Sequence, residues 1–239
     1  MSARRAAAVI AAGAACLLAP ATASAADAYA PAKGSSLIAR IVRPTLAHRA
    51  PDGHSPVRVR LRTSAAWAHG PVGLMVLGSR RSASGRLWLR VAVPARPNGS
   101  SAWVDRDVVQ LARTRWRLRI SLTTRRLQVL HAGRIVRSAR IVVGAPQTPT
   151  PRGLFAISER VRQPPGEVIG PWALHLTAYS RVLHSYDGGP GRIALHGRAG
   201  GLLLDPLGSA RSHGCVRMSS SFVSWLARRV RPGVPVEIH

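Results

Sequence analysis

The chain has 239 residues, 35 of them basic and 9 acidic, with a formal net charge of +26 and only two cysteines, Cys16 and Cys215. That length builds one or two domains with a sizeable core, and a 46% hydrophobic content excludes a disordered acidic tail. Lys33 is the sole lysine, which removes Schiff-base chemistry, a Ser-x-x-Lys pair and a Gly-Lys-Ser/Thr phosphate loop; no His-Glu-x-x-His occurs either.

At the N-terminus, Arg4 and Arg5 precede the apolar stretch 6–18, followed by Pro20 and Ala23-Ser24-Ala25. This pattern predicts a secretory signal peptide over residues 1–25 and an exported protein. The apolar stretch is shorter than the roughly 18 residues of a membrane span. Removing it leaves 33 basic against 9 acidic residues, a charge of about +24, and a single thiol, Cys215. The arginines are scattered rather than clustered, so a bias toward Arg and Ala codons together with weak attraction to an anionic cell envelope explains the charge, and no nucleic-acid partner is expected.

Residues 26–55 are rich in Pro, Gly and Ser and read as a linker, with one short strand at 37–42. Short alternating runs at 57–61, 74–77 and 87–93, the turn Pro97-Asn98-Gly99 and a strand at 101–104 predict a small β domain over 56–112. Alternation restarts at residue 113. Runs at 115–122, 127–130 and 135–143 follow, the last two forming a hairpin about His131-Ala132-Gly133-Arg134. Further strands are expected at 154–158, 172–177, 192–195 and 234–238, with a helix over 219–230 capped by Ser219 or Ser220. The fold class is mainly β with one short helix.

The chemistry concentrates in Ile193-Ala194-Leu195-His196-Gly197, fifteen residues from Gly197 through Arg211, and then Ser212-His213-Gly214-Cys215-Val216-Arg217. A thiol becomes a nucleophile when a base takes its proton. His196 ends an apolar strand and His213 lies two residues from Cys215. Gly214 lets the backbone turn tightly and present N–H groups to an oxyanion. Spacing alone also accommodates a buried structural cysteine, or a zinc site of His196, His213, Cys215 and Asp205.

This arrangement resembles the signature of the L,D-transpeptidase catalytic domain, the YkuD-like family, over residues 113–239. Gly144, the run Thr148-Pro149-Thr150-Pro151-Arg152-Gly153, Gly170-Pro171-Trp172 and Gly233-Val234-Pro235-Val236 extend the likeness. Residues 85–104 resemble the small SH3-like domain that accompanies such domains. The resemblance implies a β-sandwich catalytic domain preceded by an SH3-like barrel. It implies Cys215 as nucleophile, His196 as base, and the Gly197 carbonyl as the group orienting the imidazole. Ser212 and His213 would shape the pocket, Gly214 and Cys215 would supply oxyanion N–H groups, and Arg217 would bind a substrate carboxylate. Tyr179, His184 and Tyr186 fall on a flap within reach of substrate.

The activity implied is transfer of the acyl group of a peptidoglycan stem tetrapeptide, through a thioester, to the amine of a neighbouring stem, linking third residues. Carbapenem-type β-lactams would inhibit it, and no metal or cofactor takes part. An L,D-carboxypeptidase using the same site, and a zinc peptidoglycan hydrolase, are the alternatives.

Overall fold

Alternation of apolar and polar side chains runs through most of the chain, and strands make up most of its elements. The computed structural model describes residues 29–186 and 188–239. The segment read as a signal peptide lies outside the described residues. Among those described, no helix is long and apolar enough to cross a membrane.

The N-terminal unit holds β1 (Ser36–Ile41), β2 (Thr45–His48), β3 (Val57–Leu61), β4 (Gly73–Arg81), β5 (Leu87–Ala92), β6 (Ser101–Asp105) and β7 (Val109–Thr114). They form one sheet in the order β3-β2-β6-β5-β4-β1-β7. Leu89 and Val91 of β5 are fully buried and join Ile41, Val76 and Val104 in one core. Successive strand residues face opposite sides. The other face of β5 carries Ala92, which packs with Met75 against Ala156 of the second unit.

The linker expected over 26–55 is corrected here. β1 pairs with β7 from Ser36↔Thr114 to Ile41↔Val109, and β2 pairs with β3. Pro44, Pro51 and Pro56 all fall between strands. Proline lacks the N–H that a ladder needs, so here it marks turns and not a break between domains.

The second unit holds β8 (Trp116–Ser121), β9 (Arg126–His131), β10 (Arg134–Arg140), β11 (Val143–Gly144), β12 (Gly153–Arg162), β13 (Trp172–Tyr179), β14 (Arg192–His196), β15 (Ala210–Ser212), β16 (Val216–Arg217), the helix α1 (Ser220–Ala227) and β17 (Pro235–Ile238). The β9–β10 turn takes positive φ at Ala132 (51°) and Gly133 (80°), the backbone that matches the twist of a two-residue hairpin. Eight strands run in the order β10-β9-β8-β17-β12-β13-β14-β16, and β11 pairs separately with β15. β12 joins the two parts of the ladder. Its first half, Gly153 to Ala156, pairs with β17, and its second half, from Ile157 on, pairs with β13. Leu118, Phe155, Leu174, Leu195 and Val216 fill the core under α1, whose buried face is Phe222, Val223, Leu226 and Ala227. The Ser219 hydroxyl accepts the Phe222 N–H and caps the helix, as expected.

β7 ends at Thr114 and β8 begins at Trp116, yet the two units are closely packed. Ile38 of β1 belongs to the core of the second unit. Gly233 has φ +91°, and a Cβ there would lie 2.6 Å from Ile38 Cγ2. Gly233→Ala combines an unfavourable backbone with a steric clash at this junction. It should cost about 2–4 kcal/mol, read as a lower urea midpoint of unfolding.

Candidate active site

Parallel strands cannot be joined by a tight turn. β14 and β16 pair in parallel, Leu195 beside Val216 and His196 beside Arg217, so residues 197–215 make a long excursion and return. The return places Cys215 at the entrance to β16, where its Sγ accepts the Ala194 N–H at 3.4 Å. Cys215, His196, Arg217, His175, Tyr186 and Trp67 border one cavity of about 480 Å³. The residues expected as nucleophile and base thus border the same cavity.

His196 is buried, and its Nδ1 donates to the Gly197 carbonyl at 2.8 Å. That bond sets the tautomer and leaves the other ring nitrogen as a proton acceptor. The strand end is wedged from behind: a Cβ on Gly197 would lie 2.8 Å from Ser220 Oγ, and one on Gly170 would lie 3.0 Å from the Gly197 Cα. Burial lowers the His196 pKa to about 4. The Gly197 and Ile169 carbonyls oppose the shift, and the charges of Arg217 and His175 reinforce it. Burial pushes the Cys215 thiol up from its ordinary 9.0, against the pull of the Ala194 N–H and the Arg217 charge. At neutral pH the pair therefore rests as neutral thiol and neutral imidazole.

Interlocking hydroxyls hold the turn before Cys215. Ser212 Oγ donates to the Cys215 carbonyl at 2.5 Å and accepts the Gly214 N–H at 3.1 Å. Thr148 Oγ1 donates to the Ser212 carbonyl, Thr150 Oγ1 donates to the Gly214 carbonyl, and Thr150 Oγ1 accepts the Gly144 N–H. The Gly144 to Thr150 segment is thus a brace for the turn before Cys215. Gly214 itself has φ +115°, a conformation that side chains resist.

Several expected roles are redirected. The Gly214 N–H, expected to face an oxyanion, is taken by Ser212 Oγ. Arg217, expected to await a substrate carboxylate, pairs through Nη1 with Asp205 Oδ2 at 2.6 Å. His213 is exposed, and its Nδ1 meets Tyr186 Oη at 3.3 Å, with the two rings 5.1 Å apart. Tyr186 keeps its place on the cavity wall. Tyr179 turns away from the cavity and donates its hydroxyl to the Pro94 carbonyl. His184 is exposed and is not part of the wall. Among the described residues, no three His, Cys, Asp or Glu side chains gather as metal ligands. Asp205 is engaged by Arg217 and His213 by Tyr186, so the alternative zinc set is not assembled.

Sequence reasoning missed the partners behind these side chains. Glu159 is buried, binds Arg192 at 3.2 Å and accepts the N–H groups of Trp67 and Ala68. His175 lies under Trp67, with ring centroids 4.7 Å apart. The alternation in β12 and β13 signalled strands, but nothing local marked Glu159 or His175 as belonging beside a site.

Burial holds His175 down to about 4 as well, helped by the Arg192 charge and opposed by Glu159. Above about pH 6.5 neither histidine is protonated in the folded or the unfolded chain. Between pH 6.5 and 4 the unfolded chain binds protons at both sites and the folded chain does not, so stability must fall with pH across that window, by about 3 kcal/mol per histidine in full. Urea unfolding at pH 7, 5.5 and 4 should show this loss, with a slope approaching two protons.

A family model for the L,D-transpeptidase catalytic domain (YkuD) matches residues 115–238. The YkuD protein of Bacillus licheniformis is 34% identical over 124 residues, which are 52% of this chain and 65% of that relative, just under two thirds of its length. Among solved structures, the L,D-transpeptidase of Mycobacterium smegmatis aligns at 16% identity over 64% of this chain and 90% of its own, with a TM-score of 0.40. The Enterococcus faecium L,D-transpeptidase aligns at 18% identity over 52% of this chain and 49% of its own, with a TM-score of 0.38. Through residues 115–238, the chain belongs to the L,D-transpeptidase catalytic-domain family.

Proposed function

We propose that this protein is an exported peptidoglycan L,D-transpeptidase that works through a thioester on Cys215. The observation that carries the reading is that Cys215, the one free cysteine among the described residues, and a buried, carbonyl-oriented imidazole border the same cavity. His196 accepts the thiol proton as Sγ bonds to the carbonyl carbon of the third stem residue. The bond from that carbon to the nitrogen of the terminal D-residue then breaks, and the departing amine takes the proton from His196. The amine of a second stem attacks the thioester, forms the new amide and releases the thiol, which regains its proton through His196.

The Arg217 charge acts on both reacting groups. It stabilises a thiolate and opposes an imidazolium, and Asp205 keeps it in place. The Cys215 N–H is the remaining donor of the expected oxyanion pair. Residues 1–25 act as the signal peptide in this reading. The seven-stranded N-terminal unit is the SH3-like companion, on the strength of the hairpin around Arg96-Pro97-Asn98-Gly99.

Incubation with a disaccharide tetrapeptide, followed by mass analysis, tests the reaction. Cross-linked dimers with loss of the terminal residue support it. Tripeptide alone would assign the carboxypeptidase, and an unchanged donor would refute both. Cys215→Ala should abolish turnover and leave folding intact, and it should also remove acylation by a carbapenem-type β-lactam. His196→Ala should slow acylation by about 10² to 10⁴. Because His196 titrates near 4, the acid limb of kcat/KM should fall near pH 4 rather than near the 6.5 of a free imidazole. A limb near 6.5 would show a solvated base.

A further inference from the structure

Two places far apart in the sequence of the N-terminal unit meet the cavity or the segment that borders it. The first is the loop after β3. Its main chain is anchored, not its side chain: the Trp67 and Ala68 N–H groups donate to Glu159 Oε2 at 2.9 and 3.1 Å, and Glu159 Oε1 pairs with Arg192. The indole is left on the cavity wall, 41% exposed, over His175 and 4.6 Å from the Arg192 guanidinium. His175 is held neutral by burial, and the Arg192 charge is matched by Glu159. This wall carries no net charge and presents an aromatic face.

The second place is the turn between β5 and β6. The Asn98 amide pairs with the Tyr179 main chain in both directions, donating to its carbonyl and accepting its N–H, each at 2.8 Å. Arg96 donates to the Ser180 carbonyl at 2.6 Å, and to the Leu183 and Pro190 carbonyls at 3.2 and 3.3 Å. Ser180 N–H donates to the Gly191 carbonyl and closes the neck of the flap. Both ends of the flap are therefore gripped from outside its own domain, which leaves the tip around Tyr186 facing the cavity.

We propose that the donor site is composite: Trp67 of the N-terminal unit is a donor-binding residue that packs against the uncharged C–H face of the acyl donor, while Arg96 and Asn98 position the flap opposite it. The inference rests on the transpeptidase reading above and adds to it the part of the donor that lies away from the scissile carbonyl. Without the N-terminal unit the cavity would lose one wall and the anchor of another.

The test compares wild type, Trp67→Ala and Trp67→Phe with two donors, a disaccharide tetrapeptide and the free tetrapeptide. Trp67→Ala keeps the main-chain bonds to Glu159, so the loop should stay in place. Its KM should rise about 5- to 30-fold, the scale of removing one aromatic anchor, with kcat little changed. Trp67→Phe should recover most of the loss. A rise with both donors assigns the stem as the contact, and a rise with the disaccharide donor alone assigns the sugar. Alkylation of Cys215 by iodoacetamide, too small to reach the wall, should proceed at the wild-type rate in both variants. Calorimetry of the tetrapeptide on Cys215→Ala, with and without Trp67→Ala, reads binding independently of turnover. Asn98→Ala should speed hydrogen exchange of the flap amides and raise KM, whereas Trp67→Ala should leave that exchange unchanged. A Trp67→Ala enzyme with wild-type KM and wild-type binding overturns the composite site while leaving the transpeptidase reading standing. A wild-type chain that neither binds nor processes either donor overturns both.

Discussion

Two residue pairs between β14 and β16 set the geometry on which the site depends. Leu195 beside Val216 and His196 beside Arg217 bring together groups separated by about twenty positions in sequence. Both central side chains, Leu195 and Val216, are fully buried, so the register is fixed by the core. A slip of one residue would turn His196 toward the opposite face and expose an apolar side chain. The long return from Gly197 to Cys215 follows from the parallel direction, and it supplies the room for Asp205 to reach Arg217.

From that constraint the electrostatics follow. Burial lowers the pKa of the His196 imidazole at its strand end and raises that of the Cys215 thiol. The pair is therefore uncharged at rest. Arg217 makes this arrangement asymmetric, because it favours a thiolate over an imidazolium. Its own charge is tolerable because Asp205 pairs with it at 2.6 Å. Removing Asp205 would leave a buried, unpaired guanidinium near Cys215.

Much of this was legible in the residues. Strand-like runs gave every strand except β2, β7, β11, β15 and β16, Ser219 gave the helix start, and His131-Ala132-Gly133-Arg134 gave the hairpin. That Cys215 and His196 border one cavity agrees with the motif spacing from which the family resemblance is read. The rest depended on partners distant in sequence. Tyr179 faces the N-terminal unit because Asn98, 81 positions earlier, binds its main chain. Gly214 looked free to serve an oxyanion because nothing local showed that the Ser212 hydroxyl folds back onto its N–H. Prolines at 44, 51 and 56 suggested a linker, since composition does not distinguish a turn between paired strands from an unpaired connection. Glu159 was invisible as a site element, because its role is to tie a loop of one unit to an arginine of the other.

The resting neutrality of the Cys215 and His196 pair is the central claim, and the pH dependence of Cys215 alkylation tests it directly. With a single thiol beyond the segment read as the signal peptide, the rate of iodoacetamide reaction reports the thiolate fraction at this one site. The account predicts a rate that climbs with pH and reaches half its plateau above the ordinary thiol value of 9.0. A plateau already reached at neutral pH would mean a preformed thiolate–imidazolium pair, and would contradict it.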